Sequence, residues 1–344
     1  MTILRTILAK DAFDKLVLPD PERNLFSSPS WVRVIMRAYG VKVFVKYIER
    51  NGKIDAYVFY TVVKNFLEWK VCVLSYCDYC DAHISSVEDW QAIFNELRRE
   101  YPKFRIVVRS LRDEGVRQSG CFQELSREYY HCLDIALDVD TLWKNLKGVF
   151  RNQVRQAVRK GLTVRPLFRH ELYAFFMMHV RLRKRKYGIF AQPYRFFEVV
   201  WDEFVSRDKG FILGAFAPDG RLIGGTMYLV CGETLYYKIN TSTLGTLEYR
   251  SNNLLLWEGI RMACERGLKF VDLGSSGLHQ DGLVAFKDST GAGRMEIVHV
   301  GHHPQGYVFS QKRILKVYTR LFNAPSVPDR VTCWGSSLIY HFLA

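Results

Sequence analysis

The sequence lacks most of the signatures by which enzymes announce themselves. It has no Walker phosphate loop, no dinucleotide fingerprint, no zinc-protease helix and no nucleophile elbow. P-loop NTPases, Rossmann dehydrogenases, zincins and α/β-hydrolases are therefore poor readings. No apolar run approaches the roughly 20 residues of a membrane-spanning helix. The opening stretch, Met1 to Phe13, carries Arg5 and Lys10 but no secretory pattern, so the expected location is cytoplasmic. With 24 glycines and 10 prolines in 344 residues, low complexity and disorder are excluded. A long charged heptad insertion is also absent, so no coiled-coil RNA arm is expected. The eight cysteines, without a secretory pattern, read as reduced thiols.

Acidic residues are scarce in one place above all. Between Lys144 and Arg195 there are fourteen Lys and Arg against one acid, Glu171, a net charge of +13 out of the chain's +14. A field that local suits phosphates on a nucleic acid, a nucleotide-sugar or an anionic membrane face. A solvated helix face is the alternative.

The element order repeats. Ser28 or Ser30 caps a helix from Trp31 to Tyr39, stopped by Gly40. Strands Val41–Glu49 and Lys53–Val63 flank Asn51-Gly52, a hairpin signal. A strand near Trp69–Tyr76, a helix Val87–Glu100 capped by Ser86, and a strand Phe104–Arg109 follow. The second half runs Phe211–Ala217, Arg221–Val230 and Thr234–Ile239, then helix Ser251–Arg266 and strand Lys269–Asp272. Hairpin, strand, helix, strand thus occurs twice, which predicts a structural duplication. Helices are expected over Leu142–Lys160, His170–Lys186 and Tyr194–Ser206, with an amphipathic one over Phe309–Phe322. The predicted domains are 1–137, 138–300 and a segment 301–344 that packs back on the first.

Two polar clusters invite a metal reading. Cys72, Cys77, Cys80 and His83 offer one zinc knuckle where structural sites usually use two, so buried thiols are preferred. His299, His302 and His303 include an adjacent pair whose side chains diverge in extended chain, and read as surface or core residues. No metal is expected.

The specific part lies between Arg181 and Asp288. It holds Arg183-Lys184-Arg185-Lys186-Tyr187-Gly188, Ile223-Gly224-Gly225, Leu235-Tyr236-Tyr237-Lys238, Ser251-Asn252-Asn253-Leu254, Phe270-Val271-Asp272-Leu273-Gly274 and Leu283-Val284-Ala285-Phe286-Lys287. This resembles the second domain of the FemABX family, the aminoacyl-tRNA-dependent transferases of peptidoglycan bridges. It also resembles the wider FemAB-like acyltransferases of envelope polysaccharides. Phe26-Ser27-Ser28-Pro29-Ser30-Trp31 resembles that family's opening. The resemblance implies an α/β (α+β) chain of two tandem GNAT-like domains, with mixed, mostly antiparallel sheets flanked by helices. It implies that Arg183 and Tyr187 hold a substrate phosphate, a task suited to a bidentate guanidinium. It implies that Tyr236 or Tyr237 and Phe286 line the substrate, and that Lys287 stabilises the oxyanion. In the first domain the family's phosphate-binding lysine is replaced by the nearest cations, Arg33 and Arg37.

The expected activity is transfer of an aminoacyl or other acyl group to an amine of a phosphate-bearing envelope precursor, such as a muramyl peptide. No resident cofactor is expected. Aminoacyl-tRNA is the expected donor, because the helix at Ser251 lacks the glycine turn with which GNAT enzymes cradle coenzyme A. Acyl-CoA, used to modify an exopolysaccharide sugar, is the alternative. A non-catalytic RNA- or membrane-binding protein is a third reading. A peripheral membrane contact and no stable DNA binding are further expectations.

Overall fold

The computed structural model describes residues 2–65, 68–84, 86–304 and 312–340. The chain divides into two compact units. The first comprises 1–128, 296–316 and 339–344; the second comprises 129–295 and 317–338. The segment 301–344, expected on the first domain, is thus shared between the two units. Both long boundaries fall inside strands, which puts them away from the predicted breaks at 137 and 300.

The first unit opens with β1 (Thr2–Leu8), α1 (Ala9–Lys15) and α2 (Pro29–Tyr39). The Ser28 hydroxyl accepts from the Trp31 amide at 3.2 Å, Pro29 pre-sets the first turn, and Gly40 ends the helix at φ 68°. Strands β2 (Val43–Arg50) and β3 (Lys53–Lys64) meet at Asn51 and Gly52, both at positive φ, the two-residue turn that matches strand twist. Then come β4 (Trp69–Val73), α3 (Val87–Glu100), β5 (Arg105–Ser110) and the short α4 (Glu114–Gln118).

The chain continues through β6 (Gln123–Asp134), α5 (Val139–Asn145), α6 (Gly148–Arg159), β7 (Thr163–Pro166), α7 (Leu172–Leu182) and α8 (Tyr194–Glu203). It goes on with β8 (Gly210–Phe216), β9 (Leu222–Cys231), β10 (Thr234–Ser242), α9 (Ser251–Glu265), β11 (Phe270–Gly277) and α10 (Asp281–Asp288). It closes with β12 (Gly293–His302), α11 (Lys312–Phe322) and α12 (Asp329–Ile339). Residues 309–311 of the predicted amphipathic helix lie outside the described residues.

Within the first unit the strand order is β1-β2-β3-β4-β5-β12, and within the second it is β6-β11-β10-β9-β8-β7. The pairings β1/β2, β2/β3 and β3/β4 are antiparallel, and β4/β5 is parallel. In the second unit β7/β8, β8/β9 and β9/β10 are antiparallel, and β10/β11 is parallel. The predicted duplication is present, strand for strand.

Two neighbouring glycines place the helices of the second unit. Successive strand residues face opposite sides of a sheet. A Cβ on Gly224 would stand 2.9 Å from the Ser251 hydroxyl of α9, and one on Gly225 would stand 2.7 Å from the Phe175 ring of α7. Thus α9 covers one face and α7 the other, each at backbone-contact distance. The α9 side holds a core that includes Phe150, Phe211, Tyr228, Leu235, Leu255 and Leu273.

The helix predicted over 142–160 is two helices. Leu146 is extended (ψ 142°) and buried, and the Lys147 amide donates to the Ser289 carbonyl at 2.9 Å. A tertiary hydrogen bond and a buried leucine outweigh local helix propensity here. The helix predicted through Lys186 changes character after Leu182: Arg183–Tyr187 form a π-helical turn closed by Gly188 at φ 62°.

Burial on α7 predicts acid sensitivity. His179 is buried, and its Nε2 lies 3.1 Å from the Gln192 side-chain oxygen. Burial pushes its pKa down to about 3; the Arg183 charge lowers it too, and the Gln192 contact offsets part of this. An unfolded histidine titrates near 6.5. The neutral native form is therefore unpenalised above that pH, and stability falls as pH drops below it. The loss from this residue is about 2 kcal/mol at pH 5. A His179→Gln variant should show a shallower fall of Tm between pH 6.5 and 4.5; an unchanged slope refutes the assignment.

Candidate active site at the parting of two strands

The parallel strands β10 and β11 pair only at their beginnings. The register runs Thr234↔Phe270, Leu235↔Val271 and Tyr236↔Asp272, yet β10 continues to Ser242 and β11 to Gly277. In the first unit the corresponding pair stays in register from Lys70↔Arg105 to Val73↔Val108, where β4 ends. Of these two parallel pairs, β10/β11 is the one in which both strands run on beyond the end of their mutual register. A bulge at Lys238, between Tyr237 and Ile239 in the register with β9, bends β10 at the point of parting.

Lys287 sits against the parted edge of β11. It lies on α10, is 2% exposed, and its Nζ donates to the carbonyls of Gly274 at 2.9 Å and Ser275 at 2.7 Å. Gly274 adopts φ 72°, a left-handed conformation that turns its carbonyl out of the usual ladder direction. Phe286 faces the other way, its ring centroid 6.0 Å from that of Phe150 in the core, so this half of the Phe-Lys pair anchors α10.

Two residues not singled out by the sequence fix α10 from behind. His131 on β6 is fully buried, with Nε2 3.1 Å from the Asp288 carboxylate, which Arg294 also contacts. Burial lowers the His131 pKa, Asp288 offsets part of this, and the Lys287 charge lowers it further, so the ring is neutral near pH 7. Burial alone would raise the Asp288 carboxyl; the hydrogen bonds from Arg294 and His131 outweigh it and hold the group below the usual carboxylate range. His131 and Asp288 are 157 residues apart in sequence, beyond the reach of any spacing pattern.

The two tyrosines divide, as strand alternation requires. Tyr236 is buried and paired in register with Asp272, which donors on either side address: the Gly274 amide at 2.6 Å and the Tyr130 hydroxyl. Tyr237 packs on Tyr228 at 5.8 Å in the α9-side core. Burial raises its hydroxyl pKa, Asn240 lowers it by a hydrogen bond, and Tyr187 adds to the rise.

Polar groups without a protein partner collect on the same elements. Among the described residues, Thr241 Oγ1 on β10, Ser276 Oγ on β11, and Asn252 Oδ1 and Asn253 Nδ2 in the first turn of α9 are buried and have no hydrogen-bond partner. Native proteins leave few such atoms, each costing about 1–3 kcal/mol unless a ligand or water satisfies it. The first turn of α9 carries no acid, and its cap, Arg250, is left-handed at φ 55° with Nε on Gln156 at 3.2 Å. A helix start of that kind favours anions.

The remaining candidates are more scattered. Arg183 is half-buried, with Nε on the Phe190 carbonyl at 3.4 Å, while Tyr187, four residues on in the π-turn, is exposed. Lys184 is buried, and its Nζ is spent on the Val327 carbonyl and Asp329. Arg33 and Arg37 lie on α2 in the first unit; Arg33 donates to the Ser30 hydroxyl at 3.2 Å. Among the described residues no three His, Cys, Asp or Glu side chains are grouped to hold a metal. The Cys80 thiol is pushed up to about 12 by burial, so it is protonated. His302 and His303 line a first-unit cavity of about 440 Å³ with Phe94 and Arg98.

The family model described as the Acetyltransferase (GNAT) domain matches residues 148–288, the segment that supplies α6, α7, β10, α9, β11 and Lys287. Among solved structures, FemX aligns with a TM-score of 0.66 at 14% identity, covering 91% of this chain and 100% of FemX. Residues 148–288 thus match an acetyltransferase (GNAT) domain, and the chain as a whole shares the fold of FemX. A tandem GNAT protein from the clavulanic acid biosynthesis pathway aligns with a TM-score of 0.57 at 11% identity, covering 88% and 98%. The C-terminal domain of a putative lysylphosphatidylglycerol synthetase from Agrobacterium fabrum aligns at 0.54 and 12%, covering 79% and 87%. No curated protein matches the sequence. The fold class implied by the FemABX resemblance is the one observed, and its second half carries the match to the acetyltransferase (GNAT) domain.

Proposed function

We propose that this tandem GNAT chain transfers an aminoacyl group from aminoacyl-tRNA to an amine of a phosphate-bearing cell-envelope precursor, such as a muramyl peptide. The observation that carries the proposal is the parting of β10 and β11 beside a lysine held on β11 carbonyls. In this reading the acceptor amine attacks the ester carbonyl carbon. The carbonyl π electrons move to oxygen, and the positive charge of Lys287 stabilises that oxyanion. Collapse re-forms the carbonyl, expels the tRNA ribose oxygen and leaves an amide; the ribose oxygen takes up the proton released by the amine. Arg183 supplies the phosphate contact, with Tyr187 beside it, and the parted strands hold the reacting carbonyl.

The donor assignment rests on α9. Coenzyme A sites in GNAT folds surround pyrophosphate with a glycine-rich turn of backbone N–H groups. Here the turn reads Tyr249-Arg250-Ser251-Asn252-Asn253, with side chains where that turn has none. The two asparagines bring amide groups of their own, which suits a donor read through hydrogen bonds.

A second reading is transfer from acyl-CoA to a sugar amine of an exopolysaccharide. It is favoured by the acetyltransferase family model over 148–288. One experiment separates the two. Purified protein is incubated with mixed amine acceptors, including a pyrophosphate-linked muramyl peptide, and with either labelled aminoacyl-tRNA or labelled acetyl-CoA. Label transfer from aminoacyl-tRNA alone supports the proposal; transfer from acetyl-CoA alone replaces it with the second reading. Arg183→Ala should raise the acceptor KM about tenfold or more with kcat largely kept, the mark of a group that binds substrate and transition state alike.

A further inference from the structure

Two helices outside the catalytic segment expose more apolar surface than a solvated helix pair needs. On α11, Val317 and Leu321 are 56% and 63% exposed; on α12, Val331, Trp334 and Leu338 are 41%, 58% and 43% exposed. The spacings i, i+4 and i, i+3, i+7 put each set on one helical stripe.

The opposite faces are fixed in place, so these stripes point outward for a structural reason. Tyr318 stacks on Phe322 at 4.4 Å and packs on Phe190 at 5.8 Å. The Tyr318 hydroxyl donates to the Gly335 carbonyl at 3.2 Å, and the Thr332 hydroxyl donates to the Phe322 carbonyl at 2.8 Å. Gly335 lets Phe322 approach so closely that a Cβ there would stand 2.4 Å from the ring. The Phe322 and Trp334 rings lie 6.0 Å apart, so the tryptophan sits at the seam and the two stripes adjoin.

The charge around this surface has one sign. Along 317–338 the cations are Arg320 and Arg330, both exposed, and the single acid is Asp329. Asp329 is already paired with Arg181 at 3.1 Å and Lys184 at 3.2 Å, and it faces those residues rather than solvent. Apolar side chains with a tryptophan, interspersed with arginines and lacking a free acid, are what an anionic bilayer surface complements. A second copy of the chain fits less well. A two-fold self-contact would bring both copies' arginines into one interface to which this face contributes no unpaired carboxylate.

We infer that the α11–α12 face docks peripherally on membranes bearing anionic headgroups. The contact inserts Trp334, Leu321 and Val317 among the headgroups and acyl boundaries while Arg320 and Arg330 reach phosphates. It lies outside the family-matched segment 148–288 and needs no donor or acceptor.

The test is flotation of the full chain with vesicles of phosphatidylcholine alone or mixed with phosphatidylglycerol, in the absence of any transfer substrate. Wild type should bind the phosphatidylglycerol vesicles and be released by salt. Leu321→Ser/Trp334→Ser should weaken binding about tenfold or more, and Arg320→Gln/Arg330→Gln should abolish the preference for phosphatidylglycerol. All four positions are exposed, so each variant should keep the wild-type Tm. Failure of wild type to bind, or equal binding by the Leu321/Trp334 variant, overturns the inference. So does light scattering that shows a dimer dispersed by that variant, since the stripe is then a self-interface. Because no substrate is present, a negative result here leaves the transfer reaction unaffected, and a failed donor assay leaves the docking result intact.

Discussion

Replacing Lys287 with methionine should lower the single-turnover transfer rate by roughly 10²- to 10³-fold, the usual loss when one oxyanion-stabilising donor is removed. The prediction must be separated from a stability effect, because this lysine is also structural. Methionine leaves the Gly274 and Ser275 carbonyls without their donor, at about 1–3 kcal/mol for each buried group. Tm should therefore fall as well. The decisive quantity is the rate per folded molecule, measured below the variant's transition. Lys287→Arg keeps the charge on a longer, planar head and should retain part of the rate, whereas methionine retains almost none. If the rate per folded molecule is unchanged in Lys287→Met, the lysine is only a strut for β11. The oxyanion must then be sought at backbone N–H groups near the Lys238 bulge.

The sequence offers Lys287 as a candidate but not the groups packed around it, and the reason is where each signal lives. The Phe-Lys pair is local, and so are the Gly-Gly dipeptide, the Asn51-Gly52 turn and the serine caps. Each is a short-range chemical requirement that survives in one dimension. The parting of β10 and β11 is a relation between strands more than thirty residues apart, and no periodicity reports where their register ends. β6 and β12 escaped because their exposed halves, Gln123 to Arg127 and Gly293 to Glu296, carry charges and glycine instead of alternation. α12 escaped because Thr332, Gly335, Ser336 and Ser337 are weak helix formers. It forms because Gly335 admits the Phe322 ring, a tertiary fact. The charge run mixes two roles that the sequence does not separate. Of its fourteen cations, Lys184 and Arg181 are engaged by Asp329, Arg165 by Glu171 and Lys160 by Glu248, and these serve packing as well as field.

Gly259→Ala should destabilise the second unit by about 2–3 kcal/mol, although alanine is the better helix former by about 1 kcal/mol. The two terms oppose each other, and packing decides. Gly259 lies in the middle of α9, where the helix crosses β9. An added Cβ would stand 2.4 Å from both Cζ and the hydroxyl oxygen of Tyr228, and 2.8 Å from its Cε1. That ring has nowhere to go. It is fully buried, its hydroxyl donates to the Leu255 carbonyl at 2.8 Å, and its face lies 5.1 Å from Phe211. Relief requires either expulsion of the ring or a shift of α9 away from the sheet. For a unit of this size the loss should appear as a Tm drop of about 4–10 °C. Tyr228→Leu alone should also destabilise, by removing ring contacts and the hydrogen bond. In the double variant the leucine leaves room for the new methyl, so the two losses should fall short of their sum by about 1–3 kcal/mol. Strict additivity would mean that the helix moves instead of the ring. In that case the first turn of α9, with Asn252 and Asn253, moves with it, and transfer activity should fall in Gly259→Ala even where the protein is fully folded.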